Sequence, residues 1–510
     1  MAWRSCSSNG RNPDPSHLGR NLLAFPILRA HVPIVCLLLL VEGSGSLDAR
    51  RPRVQGQGAT TVGNRPRFIG FAEARPILTE LAGKLPSQLN ALSAAQMENV
   101  WPDWIGRHDR EIRARLEQGD EDTIVNWMLF GTSFTSRPRA VLGAVEAGAA
   151  DQELVLRRTI ELISARLDDL LQALAAPGTD ERRRFARAFL ERKGLRFTTN
   201  ADKDAAREYL RAAVIRVANE QDQIEQELGA TGSGDPRVEF AQRSRLFRTR
   251  GLSLDTSLLP NYSIDQALTA IKARGLLKPG AVKRVAIVGP GLDFADKDVG
   301  FDFYPQQTLQ PFAVLDALKR LDLVSSPSDP EVVLLDISPR IVDHVKQARA
   351  RATKNIGYTL NLPLPKSTPW LLEVRTYWQT FGDRIGAPAQ APSSKAITDA
   401  AELRAVRVRP ATVQRMSVMD LNIVTQRLDG EPFDLVIATN VFIYYDELEQ
   451  ALAMSNVGAL LKPGAFLLAN FSAPNLKSVT IRPVETTETI YARTASENIR
   501  DFIVWYQAGN

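Results

Sequence analysis

The sequence predicts an α/β protein: a doubly wound, largely parallel sheet in the C-terminal half, preceded by an all-α region. Three observations predict it. From Phe68 to about Ala230 apolar residues recur at helical spacing. Beyond Gln266 short apolar runs alternate with helix-length segments, the rhythm of strand–helix–strand units. Several runs, including "VAIV" at Val285–Val288 and "VVLL" at Val332–Leu335, lack polar alternation, as expected of strands covered on both faces.

The elements follow in order. Residues 1–46 read as a leader, in which arginines precede an apolar run from Val32 to Val41 and Ser44 and Ser46 suit a signal-peptidase site. That run is too short for a standard transmembrane helix, and Val35 before Cys36 does not suit a lipoprotein cleavage site. Residues 47–66, rich in Gly, Arg and Thr, read as a linker. Residues 67–240 read as a helical domain. In "DQELVLRRTIELISARLDDLLQALAAPG" the residues Leu156, Ile160, Ile163, Leu167, Leu170, Leu171 and Leu174 share one face, and Pro177 with Gly178 stop the helix. A second such helix runs from Asp202 to Leu228. Residues 241–510 carry the strand candidates "VKRVAIVG", "EVVLLDIS", "VRVRPATV", "FDLVIATN", "AFLLANF" and "DFIVWYQ". A sheet of this kind binds its ligand beyond the carboxyl ends of its strands, where the strand order reverses.

Composition excludes several chemistries. The net charge is +5 over 510 residues, and +2 of it lies in the leader, a balance that argues against a nucleic-acid binder. Both cysteines, Cys6 and Cys36, lie in the leader, so nothing beyond it can form a disulfide or a thiolate zinc site. Only His108 and His344 follow it, which leaves no HExxH helix. His344 is expected on a solvated helix face. Asp293, Asp296, Asp298 and Asp302 match no calcium-loop spacing and read as solvated turn residues. Arg243, Arg245, Arg248 and Arg250, with Phe247 alone among them as an aromatic, read as a solvated helix or a cofactor-side contact rather than a nucleic-acid groove. The apolar segment Asn126–Arg139 either packs in a core or closes over a substrate.

The chemistry-bearing motifs lie in the sheet region. In "RVAIVGPGLDFADKD" a buried strand meets Gly289 and Gly291, which allow a tight turn and a close approach of ligand to main chain. Alone, the motif suits a strand-ending turn as well as a nucleotide-binding one. Asp336 ends the next strand, where a carboxylate accepts hydrogen bonds from ribose hydroxyls; capping of the helix that starts near Pro339 is the alternative. "SVMDLN" puts Asp420 after a third strand, suited to an adenine amine, with Leu421 to cover the ring. "FDLVIATNVFIYYDELEQAL" ends a fourth strand near Asn440, and "LLKPGAFLLAN" reads as a helix end, a Pro-Gly turn and a fifth strand.

Taken in order, these motifs resemble the class I S-adenosylmethionine-dependent methyltransferases over roughly the C-terminal half. "NVFIYY" and "QPFAV" are locally similar to the chemotaxis-receptor glutamate methyltransferases. The resemblance implies a Rossmann-like sheet and S-adenosylmethionine as cofactor, bound through Gly289, Gly291, Asp293, Asp336, Asp420 and Leu421. It implies Asn440 and Tyr444 as catalytic candidates, with Asp446 and Glu447 as further bases. Two departures stand out: Ile287 occupies a position where many members carry an acid, and Asp293, in place of the last glycine, would meet the methionyl ammonium. The implied reaction is an in-line methyl transfer to a small molecule or a protein carboxylate, with an oxygen nucleophile favoured because no histidine lies near the fourth strand. A non-catalytic exported scaffold and an RNA methyltransferase are the alternatives. The cofactor implies a cytoplasmic chain, at the inner membrane face if the leader anchors it, whereas the leader by itself implies export.

Overall fold

The computed structural model describes residues 65–140, 149–229, 251–252, 256–295, 301–325, 330–393, 395–473, 476–494 and 498–509. The leader, the basic run Arg243–Arg250, Asp296 and Asp298 lie outside the described residues. The strands are β1 (Arg65–Phe68), β2 (Arg284–Val288), β3 (Glu331–Asp336), β4 (Tyr358–Pro365), β5 (Gly386–Ala389), β6 (Ala401–Val408), β7 (Met416–Asp420), β8 (Gln426–Asp429), β9 (Phe433–Ile437), β10 (Leu461–Ala469), β11 (Ile481–Arg493) and β12 (Asn498–Ala508). The N-terminal helices are α1 (Phe71–Glu80), α2 (Ser87–Asn90), α3 (Ala94–Phe130), α4 (Ala149–Ala175), α5 (Glu181–Arg192) and α6 (Asn200–Gly229).

Seven strands form one mixed sheet in the order β11-β12-β10-β9-β2-β3-β7. β7, β3, β2, β9 and β10 are parallel, and β12 runs antiparallel to both β10 and β11. The chain leaves β2 toward β3 and β7, then returns to the other side of β2 as β9. The order therefore reverses between β2 and β9, where a crevice opens.

Strand periodicity sends alternate residues to two cores. Val285, Ile287, Val332, Leu334, Leu435 and Ile437 pack with the helices Leu259–Ala273, Gln310–Arg320 and Pro339–Thr353. Ala286, Val288, Val333, Leu335 and Val436 pack on the opposite face with the helix Glu447–Leu460 and with Ile77, Trp101, Trp104, Ile105 and Ile112 of α1 and α3. Both faces are covered, which explains the apolar runs. The helical region divides accordingly. The first part of α3 belongs to the sheet, whereas its end, Ile124–Phe130, packs with Leu167, Leu170, Phe189, Leu210 and Val214 of α4, α5 and α6 and with Phe294.

Several sequence expectations are corrected here. Arg65 and Pro66 are not linker but the start of β1, antiparallel to β8. "VRVRPATV" is not the third strand of the main sheet. Its first residues end β6 of a separate antiparallel sheet, β4-β6-β5, and Pro410 opens a helix; the third parallel strand is Met416–Asp420 itself. "LKPG" is no turn ahead of a strand: it lies inside β10, at a register irregularity between Leu461 and Phe466.

His344 does not ride a solvated face. Its Nε2 lies 2.8 Å from the buried Tyr358 hydroxyl, and burial, with Arg351 and Arg340 nearby, pushes its pKa down to about 4. Asp302 is no solvated turn residue either, being 3% exposed. It accepts from the Trp127 indole at 2.7 Å, from the backbone N–H groups of Thr132 and Ser133, and from both their hydroxyls. Arg166, fully buried, donates to the carbonyls of Met128, Gly131, Arg137 and Pro138. The apolar segment Asn126–Arg139 is thereby tied down as a seam between the helical core and the loop after β2.

Candidate functional site

The carboxyl ends of β2, β3 and β9 face a cleft enclosing about 740 Å³, part of it open to solvent. Gly289 and Gly291 line it at the end of β2 with φ of +63° and +75°. A side chain at Gly289 would be excluded twice over: by the left-handed backbone, and because a Cβ would lie 2.7 Å from Val441 Cγ2. The two turns after β2 and β9 therefore touch, and only hydrogen separates them.

Asp336 lines the cleft at the end of β3. Its Oδ1 accepts from the Ser338 N–H at 2.7 Å, a local turn that leads into the helix beginning at Pro339. Burial pushes the carboxyl up to about 7; the Ser338 N–H opposes the shift and the charge of Asp420 adds to it.

β9 delivers Thr439, Asn440, Val441, Tyr444 and Tyr445 to the same cleft. Asn440 has φ of +59°, a conformation that costs a non-glycine residue energy. A reciprocal pair holds it there: the Asn440 N–H donates to Asn470 Oδ1 at 2.8 Å, and Asn470 Nδ2 donates to Asn440 Oδ1 at 2.6 Å. The Tyr444 carbonyl accepts from the Arg115 guanidinium of α3. Arg115 in turn lies 3.5 Å from Glu449, which His108 approaches from the other side at 3.3 Å while stacking on Trp104. Burial opposes a charge on His108, but its contact with Glu449 prevails and raises its pKa above the usual value.

Helix α3 also supplies Leu116 to the cleft, beside Leu252. Gly119 and Gly251 allow this, since a Cβ on Gly119 would lie 1.9 Å from the Leu252 carbonyl oxygen. Asn261, from the first turn of the helix Leu259–Ala273, and Gln310, the first residue of the helix Gln310–Arg320, add to the polar lining beside Thr256 and Ser257. Sequence reasoning missed both. "QPFAV" had marked the helix start at Gln310, but nothing local distinguished Asn261.

Of the sequence-predicted residues, Gly289, Gly291, Asp336, Asn440 and Tyr444 come together. Three do not. Asp293 is buried and turned into an internal network, where it accepts from the Tyr304 hydroxyl at 2.7 Å and from Gln307 Nε2 at 3.2 Å. Asp420 is exposed and paired with Arg113 at 2.7 Å. Leu421 packs in the core on the α3 side of the sheet. Asp446 caps the helix Glu447–Leu460, and Glu447 pairs with Lys84. Among the described residues no group of three or more His, Cys, Asp or Glu side chains could hold a metal ion.

No family model matches the chain, and no curated protein does. Solved structures similar to it include an N-methyltransferase from Bradyrhizobium japonicum WM9, at 12% identity and TM-score 0.24 over 48% of this chain and 98% of that one. A magnesium protoporphyrin IX methyltransferase from Synechocystis PCC 6803 with bound SAM is 12% identical over 57% of this chain and 97% of that one, with TM-score 0.23. A glycopeptide N-methyltransferase is 11% identical over 49% and 96%, with TM-score 0.25. None of these three is a chemotaxis-receptor enzyme.

Proposed function

We propose that the chain binds S-adenosylmethionine in this cleft and transfers its methyl group to a small molecule or an oxygen nucleophile. One observation carries the reading: the glycine turn after β2, the carboxylate ending β3 and the strained Asn440 after β9 line a single cleft at the point where strand order reverses. The residues fit the group. A Cβ at Gly289 would close the turn, and Asp336 stands at the end of the strand next to it.

When bound, the cofactor supplies an electrophilic methyl carbon on a sulfonium. The main chain at Gly289–Gly291 accepts its close approach, and Asp336 accepts hydrogen bonds from two vicinal hydroxyls. Leu116, Leu252, Ile337, Ile341 and Val441 exclude water. Asn440 and Tyr444, at the end of β9, hold the acceptor in line. No histidine or lysine lines the cleft among the described residues, which favours an acceptor that needs no base from the protein. The cofactor's origin argues for a cytoplasmic chain. No helix among the described residues is long and apolar enough to cross a membrane.

Isothermal titration of the full chain with S-adenosylhomocysteine tests the reading. The full chain is needed because α3 supplies Leu116 and, through Arg115, braces Tyr444. Saturable binding with one site is expected. A folded sample that gives no heat with either S-adenosylhomocysteine or S-adenosylmethionine would leave a methyltransferase-like scaffold as the better reading.

A further inference from the structure

The chain's excess of positive charge is gathered in one stretch. Ten Lys or Arg and four Asp or Glu lie between Arg351 and Arg415, a net charge of +6, against +5 for the whole chain. The stretch includes the end of the helix Pro339–Thr353, the β4-β6-β5 sheet and the short helix Pro410–Gln414 that leads into β7.

Folding brings six of these cations together: Arg351, Lys354, Arg384, Arg407, Arg409 and Arg415, all exposed. β6 lies between β4 and β5, so Arg407 stands opposite Thr359 on one side and Ala387 on the other. Gly357 lets the Arg407 side chain pass, since a Cβ there would lie 2.9 Å from Arg407 Cγ. The Arg409 N–H donates to the Ile385 carbonyl at 3.0 Å and its guanidinium to the Arg384 carbonyl, which ties Arg384 to the same end of the small sheet. Gln414 Nε2 donates to the Ala352 carbonyl at 2.9 Å, which sets Arg415 beside the helix end that carries Arg351 and Lys354. Among the described residues none of the six is in an ion pair, whereas the neighbouring Arg375 and Arg404 are committed to Glu402 and Asp383. Ile356, 51% exposed, stands among them.

The position selects the partner. The cleft lies at the carboxyl ends of the strands and the patch at the amino end, where the Arg415 carbonyl accepts from the Val332 N–H at 3.1 Å. The length of β3, roughly 17 Å, separates the two. A nucleic-acid substrate would need its phosphates held beside the reacting centre, yet no Lys or Arg lines the cleft among the described residues. No aromatic side chain described between Arg351 and Arg415 is exposed to stack on a base either. Unpaired cations around one exposed apolar side chain fit an anionic bilayer, which attracts the charges and admits the isoleucine to its headgroup layer. The sequence supplies the complement. The apolar run from Val32 to Val41 is too short to span a bilayer, and one weak apolar signal attaches a chain stably only with a second, such as a basic patch.

We propose that this patch docks the chain on an anionic lipid surface, with the cleft at the end of the sheet away from the membrane. The proposal does not depend on what the cleft binds.

The test is co-sedimentation of the full chain with vesicles of phosphatidylcholine alone and of phosphatidylcholine with about 30% phosphatidylserine, at physiological salt. Wild type should prefer the anionic vesicles and lose that preference as salt rises. Removing three unpaired charges in Arg384→Gln/Arg407→Gln/Arg415→Gln should weaken anionic binding about a hundredfold, roughly fivefold per cation, and leave binding to neutral vesicles unchanged. The triple replacement of the same arginines by lysine should stay within about twofold of wild type, because a bilayer attracts charge without reading guanidinium geometry. Three exposed cations elsewhere, removed in Arg75→Gln/Arg107→Gln/Arg110→Gln, serve as the control and should also change binding by no more than about twofold. No anionic preference in wild type, an undiminished preference in the glutamine triple, an equal loss in the control triple or a loss in the lysine triple would each overturn the proposal. Wild type that binds a short mixed-sequence RNA through these arginines at the same salt, but not anionic vesicles, would overturn it in favour of nucleic acid.

Discussion

Acidification through neutrality should weaken the cleft's hold on S-adenosylhomocysteine, and Asp336 sets the size of the effect. Its carboxyl is pushed up to about 7 by burial, and ribose hydroxyls that donate to it stabilise only the ionised form. Two pH units below that value roughly one molecule in a hundred carries the charge, so affinity should fall about a hundredfold between pH 8 and pH 5, on the order of 2.7 kcal/mol. Binding below pH 7 should release up to about one proton per ligand. Folding stability runs the other way. The folded carboxyl titrates above the unfolded one, near ~3.9, so its contribution to stability is complete below that pH and is lost as the pH rises through about 7. The assay is calorimetry from pH 5 to pH 8 in two buffers of different ionisation enthalpy, on wild type and Asp336→Asn. The variant should bind more weakly at pH 8 and give a flat profile. His108 also titrates above its usual range, but the variant retains it, so the comparison separates the two groups. A flat wild-type profile, or a variant as steep as wild type, refutes the assignment of Asp336 to the hydroxyls.

Two further outcomes follow from packing. Gly289→Ala forces a Cβ into a left-handed conformation against Val441; it should cost about 1–2 kcal/mol from the backbone alone and reduce S-adenosylhomocysteine binding, with Val441→Ala restoring part of the loss, read by thermal denaturation and calorimetry. Asp302→Ala leaves the Trp127 indole N–H and the Thr132 and Ser133 amides without their buried acceptor. It should destabilise the protein by ~3 kcal/mol or more, measured as a fall in the urea midpoint, whereas Asp420→Ala, which removes an exposed pair, should change it by no more than about 1 kcal/mol.

Much of the sheet was legible because its signals are local. β2, β3 and β9 announced themselves as short apolar runs, and the cleft uses a residue at or just after the end of each: Gly289, Asp336 and Asn440. β1, β4, β5, β8 and β11 were missed. β11 buries only Ile481, Thr489, Tyr491 and Ala492 of its thirteen residues and so lacks an apolar run, and β4 carries Pro363 and Pro365 in a separate antiparallel sheet. "VRVRPATV" misled because Val406 and Val408 do end a strand, but one that pairs with β4 and β5 rather than β3.

The carboxylates divide the two kinds of information most clearly. By itself the sequence determined that a glycine turn would follow β2, that a carboxylate would end β3, that no cysteine lies beyond Cys36, and that helices would precede the sheet. Each of these depends on residues within a few positions along the chain. Only the tertiary structure decided that Asp336 faces the cleft while Asp293 turns to Tyr304 and Gln307, that Asp420 is held by Arg113 some three hundred residues earlier, and that Asp302 is buried under Trp127. It also decided that α3 serves both the sheet and the helical core. The physical reason is that a residue's type fixes which hydrogen bonds it can make, while the choice among partners depends on which distant groups folding brings within about 3 Å.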